Sequence, residues 1–281
     1  FEVSRRLNAI APEIADGFVA SAARDAASRG VVGIVDLDMA WNEEAWARRL
    51  ALGFDALRVE FGVYPDLLDR AIAEGLATGD TVRGASSDLV RFGPFKVITD
   101  GSLGTRTAAC SHAYPGDPHN HGLLTVDPVT LVELMTRATG AGIACAIHAI
   151  GDVANSHALD AYAQTGAVGT IEHAQLVAAA DIPRFGRLGV SAQPEHAVDD
   201  RDLTDSIWAE QTGIPYPLRA LADTGANLLL GSDAPVAPLD PWAAIAAAVF
   251  RTRDGRPAWR PDQGIDVATA LAASTHRGSM H

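Results

Sequence analysis

Residues 142–175 read GIACAIHAIGDVANSHALDAYAQTGAVGTIEHAQ, and their rhythm decides the fold. An apolar run from Gly142 to His148 gives way to a Gly-Asp loop, an alanine-rich helical stretch follows from Ala154 to Gln164, and a second apolar run from Gly169 to His173 closes the unit. Short strands that alternate with helices build parallel sheets, because a parallel crossover needs about a dozen residues or more. The same unit recurs outward in both directions. Further strands are predicted at Val31 to Asp38, Leu57 to Val63, Phe95 to Thr99, Gly189 to Gln193 and Asn227 to Ser232. Helical patterns fall between them at Pro12 to Arg29, Glu43 to Gly53, Pro65 to Leu76, Pro128 to Gly140 and Tyr216 to Gly225. Several end at a glycine suited to the left-handed position past a helix.

Two parallel architectures compete for 281 residues: an open doubly wound sheet and a closed (β/α)8 barrel, for which roughly 250 residues is typical. The GxGxxG fingerprint after a first strand is absent, as is the GxxxxGK[ST] phosphate loop, so the nucleotide-binding doubly wound folds lose their signature. The reading is an α/β chain with a (β/α)8 TIM-type barrel, seven of whose eight strands lie in this sequence. No linker composition divides it, so residues 1–281 are read as one barrel domain. The chain opens at Phe1 rather than a methionine, and the expectation is a piece of a longer protein, incomplete at both ends.

Composition narrows the function. With 35 acidic against 22 basic residues the net charge is −13, a field that repels phosphate backbones, so no nucleic-acid partner is expected. The longest apolar runs fall far short of the roughly 20 residues that cross a bilayer, so no membrane partner is expected either. Cys110 and Cys145 have no CxxC spacing and are too few for a disulfide framework, which fits a reducing, cytoplasmic location.

In a barrel, polar residues that close apolar strands converge on one mouth. Lys96 sits in GPFKVITDGSLG between Phe95 and Val97. Burial eases its deprotonation, and a neutral amine can take up carbon dioxide to become a metal-bridging carbamate; the plainer alternative is a lysine paired with Asp100 or reaching out to the mouth. His148 ends one strand and His173 the next, 25 residues later, as two imidazoles suited to zinc or to ordinary mouth positions. Asp152 and Glu172 are acceptors for those rings, or a helix cap and a mouth pairing. Asp233 leaves the strand NLLLGS where a carboxylate can bind metal and move a proton, or simply shape an Asx turn.

Read together, the stretches FKVITDGSLGTRTA (95–108), AIHAIGDVAN (146–155), IEHAQ (171–175), SAQPEHA (191–197) and LLLGSDAPVAPLDPW (228–242) resemble the amidohydrolase superfamily. The likeness is to its amidohydrolase-3 branch, which includes N-substituted formamide deformylase-like metal-dependent hydrolases. It runs over almost the whole chain. It implies that Lys96 is the carbamylated bridging lysine, formed with carbon dioxide, that His148 and His173 are metal ligands, and that Asp233 is both a ligand and the proton shuttle. It also implies one or two divalent ions, zinc by default, with manganese, iron or cobalt as alternatives. The reaction implied is hydrolysis of a C–N, amide-type bond of a small molecule by a metal-activated water, Asp233 taking the proton and returning it to the leaving amine. Arg106, Gln193 and His196 lie in the matching motifs as substrate contacts, or as stabilisers of their own loops.

One departure from the family pattern bears on all of this. The HxH of the first barrel strand is missing; His119-Asn120-His121 has the letters but lies in the polar loop SHAYPGDPHNHG and is read as loop. The flanking β-sandwich of the family is not found either. The resemblance then implies that the first strand and the sandwich lie outside this sequence, that the isolated chain is poorly active, and that an open barrel edge favours homo-oligomers. Alternatives are an ester, lactone or cyclic-amide metallohydrolase, and a noncatalytic ligand-binding barrel. Substrate choice is left to the loops Cys110 to Leu123 and Asp199 to Pro217. The second of these holds Trp208 and Tyr216 and is read either as a lid over the pocket or, in DLTDSIWAEQ, as a surface helix with Trp208 packed inward.

Overall fold

Val97, Ile147, Ile171 and Val190 are completely buried, and they stand side by side on four neighbouring strands in the registers Val97–Ile147, Ile147–Ile171 and Ile171–Val190. Residues one step away along each strand face the other side of the sheet. That side carries Lys96, His148, Glu172 and Ser191, with Ile98–His148–Glu172–Ser191 forming one cross-strand row. The apolar row packs on the helices, which leaves the polar row inside the curl of the sheet.

The computed structural model describes residues 10–85, 87–186 and 188–275. The chain runs α1 (Pro12–Ser28), β1 (Gly33–Asp36), α2 (Glu43–Ala51), β2 (Arg58–Val63), α3 (Pro65–Ala73), β3 (Val90–Ile98), α4 (Pro128–Gly140) and β4 (Cys145–Ala149). It continues through α5 (Asp152–Thr165), β5 (Gly169–His173), β6 (Leu176–Val177), β7 (Gly189–Ala192), α6 (Pro194–Asp199) and α7 (Arg201–Ile207). Then come β8 (Ile214–Pro215), α8 (Leu218–Asp223), β9 (Asn227–Leu230), α9 (Pro241–Phe250) and α10 (Val267–Thr275). Seven parallel strands pair in the order β1-β2-β3-β4-β5-β7-β9, the predicted α/β barrel architecture with the sheet open between β1 and β9. Among the described residues the other sheet is the short antiparallel pair β6–β8. No described helix is long and apolar enough to cross a membrane. Both cysteines are free and buried.

Helix starts follow from sequence. Pro12, Pro65, Pro128, Pro194 and Pro241 each open a helix, where a missing N–H costs nothing and a fixed φ helps. Asp127 caps α4 by accepting from the N–H groups of Val129 and Thr130, and Asp240 caps α9 in the same way. Between α1 and α2 the buried carboxylate of Asp16 accepts from Arg48 at 2.7 and 3.0 Å and from Arg49 at 2.9 Å.

The Arg48 hydrogen bond, reinforced by Arg49, holds the Asp16 carboxyl below its ordinary value of 3.8. A carboxyl whose folded pKa is depressed stabilises the fold above its unfolded pKa and loses that contribution as pH falls through the folded value. Asp16→Asn is therefore expected to lower the urea midpoint at pH 7, with the gap to wild type closing as the pH drops below 3.8. A gap of constant size through that range would exclude the ion-pair explanation.

Candidate metal centre

Asp100 leaves β3 fully buried and accepts from the backbone N–H groups of Ala109, Ile150 and Gly151 at 2.9, 3.0 and 2.8 Å. It ties the loop after β3 to the loop after β4 and does not pair with Lys96. A Cβ on Gly151 would lie 2.0 Å from the Ala109 carbonyl oxygen, so the close approach needs glycine. Asn155, also fully buried, reaches back from α5 and donates through Nδ2 to the carbonyls of Ala149, Ile150, Gly151 and Leu176. These contacts fix the strand ends on which the polar row stands.

Lys96 is buried in the curl. Burial pushes its pKa down, and the nearby charges of Glu172 and Asp233 pull it back up. His148 stands beside it, its Nε2 3.4 Å from both the Gly101 carbonyl and Asp100 Oδ1. Strand alternation alone would send His173 to the helix-facing side with Ile171. Its φ of 76° ends the strand instead, and its ring packs edge-on against His148 with centroids 4.6 Å apart. Left-handed backbone at a non-glycine residue costs about 1–3 kcal/mol and tends to collect at functional sites; Ala174 and Asp233 share it. Burial, then the charges of His148 and Lys96, hold His173 well below the usual 6.5, leaving a neutral imidazole at pH 7.

Gln193, just past β7, lies with Oε1 2.8 Å from His173 Nδ1, while its Nε2 donates to the Ser191 carbonyl. His173 therefore carries its proton on Nδ1 and presents a bare Nε2. His196 on α6 is buried, stacks nearly parallel to His173 at 6.4 Å, and has an Nε2 with no hydrogen-bond partner. One donor atom from each of His173, His196 and Asp233 lies within 4.8 Å of the others. Asp233 stands exposed in the mouth. Even so, desolvation by the surrounding walls is the largest influence on it and raises its carboxyl above 3.8, against the pull of His196, Lys96 and His148. Two imidazole nitrogens and a carboxylate, one nitrogen orphaned and another oriented by a carboxamide, fit a divalent cation of zinc type.

The structure thus gathers Lys96, His148, His173 and Asp233 at one mouth. It adds His196 and Gln193 to their immediate surroundings, where the sequence had suggested substrate contacts. Arg106 stands apart: it is exposed and donates to the Pro115 carbonyl of its own loop. Glu172 takes a hydrogen bond from Thr170 and faces Lys96, and Asp152 accepts from the Ser111 N–H. His121 reaches the Cys110 carbonyl within its loop. Trp208 is packed inward after α7, in a cluster with Tyr216 and Trp259. Gln175 meets His196 directly and Tyr216 meets Gln175; the sequence places the first in the IEHAQ motif and the second in a candidate lid loop, and gives neither a role toward His196. The only linear signal was the position of Gln175 two residues past His173.

Comparison with known proteins gives the same direction. The sequence pattern of the Amidohydrolase family matches residues 3–279. Protein LONG AFTER FAR-RED 3 of Arabidopsis thaliana is 36% identical over 201 residues, 67% of this chain and 34% of the relative. N-substituted formamide deformylase of Arthrobacter pascens is 27% identical over 210 residues, 70% of this chain and 38% of that protein. Among solved structures, an uncharacterized metal-dependent hydrolase from Pyrococcus horikoshii OT3 superposes with a TM-score of 0.84 at 29% identity, over 96% of this chain and 55% of that one. The chain spans from about a third to just over half of the length of these relatives.

Proposed function

The chain belongs to the amidohydrolase family, and from that premise we propose that it forms the metal-binding mouth of a hydrolase that cleaves a C–N, amide-type bond in a small molecule. The observation that carries this reading is the convergence of His173, His196 and Asp233 donor atoms within 4.8 Å, beside which the His196 ring holds a buried nitrogen without a partner. His173 and Asp233 would hold the ion, with His148 beside them, and zinc suits the mixed nitrogen and oxygen donors. Lys96, taken up with carbon dioxide as a carbamate, would add an anionic oxygen donor. A divalent metal there supplies Lewis acidity, lowering the pKa of water to near 7 and polarising a carbonyl.

The chain's own residues do the rest. Asp233 is the carboxylate in the open mouth; it takes a proton from the attacking water and returns it to the leaving nitrogen. Gln193 keeps the His173 ring in the orientation that leaves Nε2 free. Esters, lactones and cyclic amides pass through the same chemistry, so a substrate panel decides among them. The full-length protein is expected to hydrolyse N-acyl amines faster than matched esters, to lose that activity to a chelator, and to regain it with zinc. Chelator-insensitive turnover, or inertness toward every carbonyl substrate tried in the presence of zinc, contradicts the reading.

A further inference from the structure

His196 has a hydrogen-bonded line of side chains behind it. Its Nδ1 lies 3.3 Å from the side-chain amide of Gln175; the other end of that amide lies 3.4 Å from Tyr216 Oη; and Tyr216 Oη lies 2.9 Å from Asp200 Oδ2. Gln175, His196 and Tyr216 are all buried. The backbone pins Gln175 to Tyr216 as well, since the Tyr216 N–H donates to the Gln175 carbonyl at 2.5 Å and β6 pairs with β8 immediately beside them.

Counting protons orients the whole line. Burial, with the charge of Asp200 next, raises Tyr216 well above the usual phenol value, so the phenol keeps its single proton. A carboxylate can only accept, so that proton goes to Asp200. Toward Gln175 the phenol oxygen then offers only lone pairs, and the group of Gln175 that meets it must be the NH2. An amide has its oxygen at the other end, so the carboxamide oxygen faces His196 Nδ1, and the nitrogen and oxygen of Gln175 occupy each other's places relative to the bare heavy-atom assignment. Oxygen there requires N–H on Nδ1. The buried, unpartnered Nε2 of His196 is then a lone pair rather than an N–H donor with nothing to receive it. Gln193 does the same for His173, so two carboxamides hold the two stacked rings alike.

We infer that Gln175, Tyr216 and Asp200 are positioning residues that fix His196 as the Nδ1–H tautomer and so make its Nε2 a nitrogen donor beside His173 Nε2 and Asp233. The tautomer follows from the hydrogen bonds alone; its use toward a divalent cation rests on the proposed function. The test is nitrogen-15 NMR of histidine-labelled, metal-free protein at pH 8, with the His196 ring assigned by comparison with His196→Gln, followed by titration with zinc. Wild type is expected to show His196 with a bare Nε2. In Tyr216→Phe the NH2 of Gln175 loses its acceptor, the amide is free to turn, and His196 shifts toward the Nε2–H form while the His173 signals stay in place. Zinc affinity then falls about tenfold, the scale on which loss of such outer partners acts. Gln175→Met, which removes the acceptor outright, is expected to shift the ring in the same direction. A wild-type His196 protonated on Nε2 overturns the inference, as does a tautomer unchanged in both variants. A ring that behaves as stated in a protein that binds no zinc upholds the inference and defeats the metal reading; zinc binding with the opposite tautomer does the reverse.

Discussion

Asn155→Asp is expected to destabilise the chain by about 3–5 kcal/mol and to lower its urea midpoint sharply. The two amide protons of Asn155 are shared among four carbonyls, those of Ala149, Ile150, Gly151 and Leu176, at 2.9 to 3.3 Å, and the side chain has no exposure to solvent. A carboxylate in its place has no proton to donate and sets a negative charge against four carbonyl dipoles. An uncompensated buried charge costs about 3–5 kcal/mol, a large part of the roughly 5–15 kcal/mol that holds a domain folded. Asn155→Ala removes the two amide protons without adding charge, while the carbonyls of Ala149, Ile150 and Gly151 keep the backbone N–H groups of Ala174, Leu176 and residue 155. At about 0.5–1.5 kcal/mol for each hydrogen bond lost, a smaller loss of about 1–3 kcal/mol is expected. Urea denaturation followed by near-ultraviolet circular dichroism measures both. If the aspartate variant unfolds at the wild-type midpoint, Asn155 is not the clamp between the end of β4 and β6 described above.

Asp233→Asn carries the second large effect, on chemistry rather than folding. Asp233 stands exposed in the mouth and makes no hydrogen bond that shapes the barrel wall, so the variant is expected to keep the wild-type melting temperature. As the proposed proton carrier it should lower turnover of the full-length protein by about 10²- to 10⁴-fold, the usual contribution of a positioned acid or base. Steady-state kinetics on the best amide of the panel would show it. A variant within a few-fold of wild type would move the proton transfer to another group.

The fold was largely written in the period of the sequence. Gly169 to His173 and Pro128 to Gly140 are the observed β5 and α4, residue for residue. β3 is longer than predicted, reaching back to Val90. Gly93 and Pro94 punctuate that stretch and hide it, and the structure absorbs them with a register shift against β2 between Phe61 and Val63. The alanine-rich α9 and α10 lie outside the helical patterns read from the sequence, and the two-residue strands β6 and β8 are too short to carry a period.

At the mouth, Lys96, His148, His173 and Asp233 were legible because a polar residue that closes an apolar strand has few other places to go. The direction of the His173 ring was not, since it depends on a left-handed backbone that no residue type there demands. His196 lies in a short helix and meets Gln175, which is joined to Tyr216 beside the pairing of β6 with β8. Such convergence belongs to the folded chain, and its one linear trace is the position of Gln175 two residues past His173.

Whether this mouth binds a divalent metal is read from metal content per chain, measured by elemental analysis of protein purified without chelator and reconstituted with zinc. Wild-type protein is expected to retain the ion through gel filtration, and His173→Ala, folded by circular dichroism, to lose it. Metal-free wild-type protein, or a His173→Ala variant that keeps the ion equally well, would contradict a metal centre at this mouth.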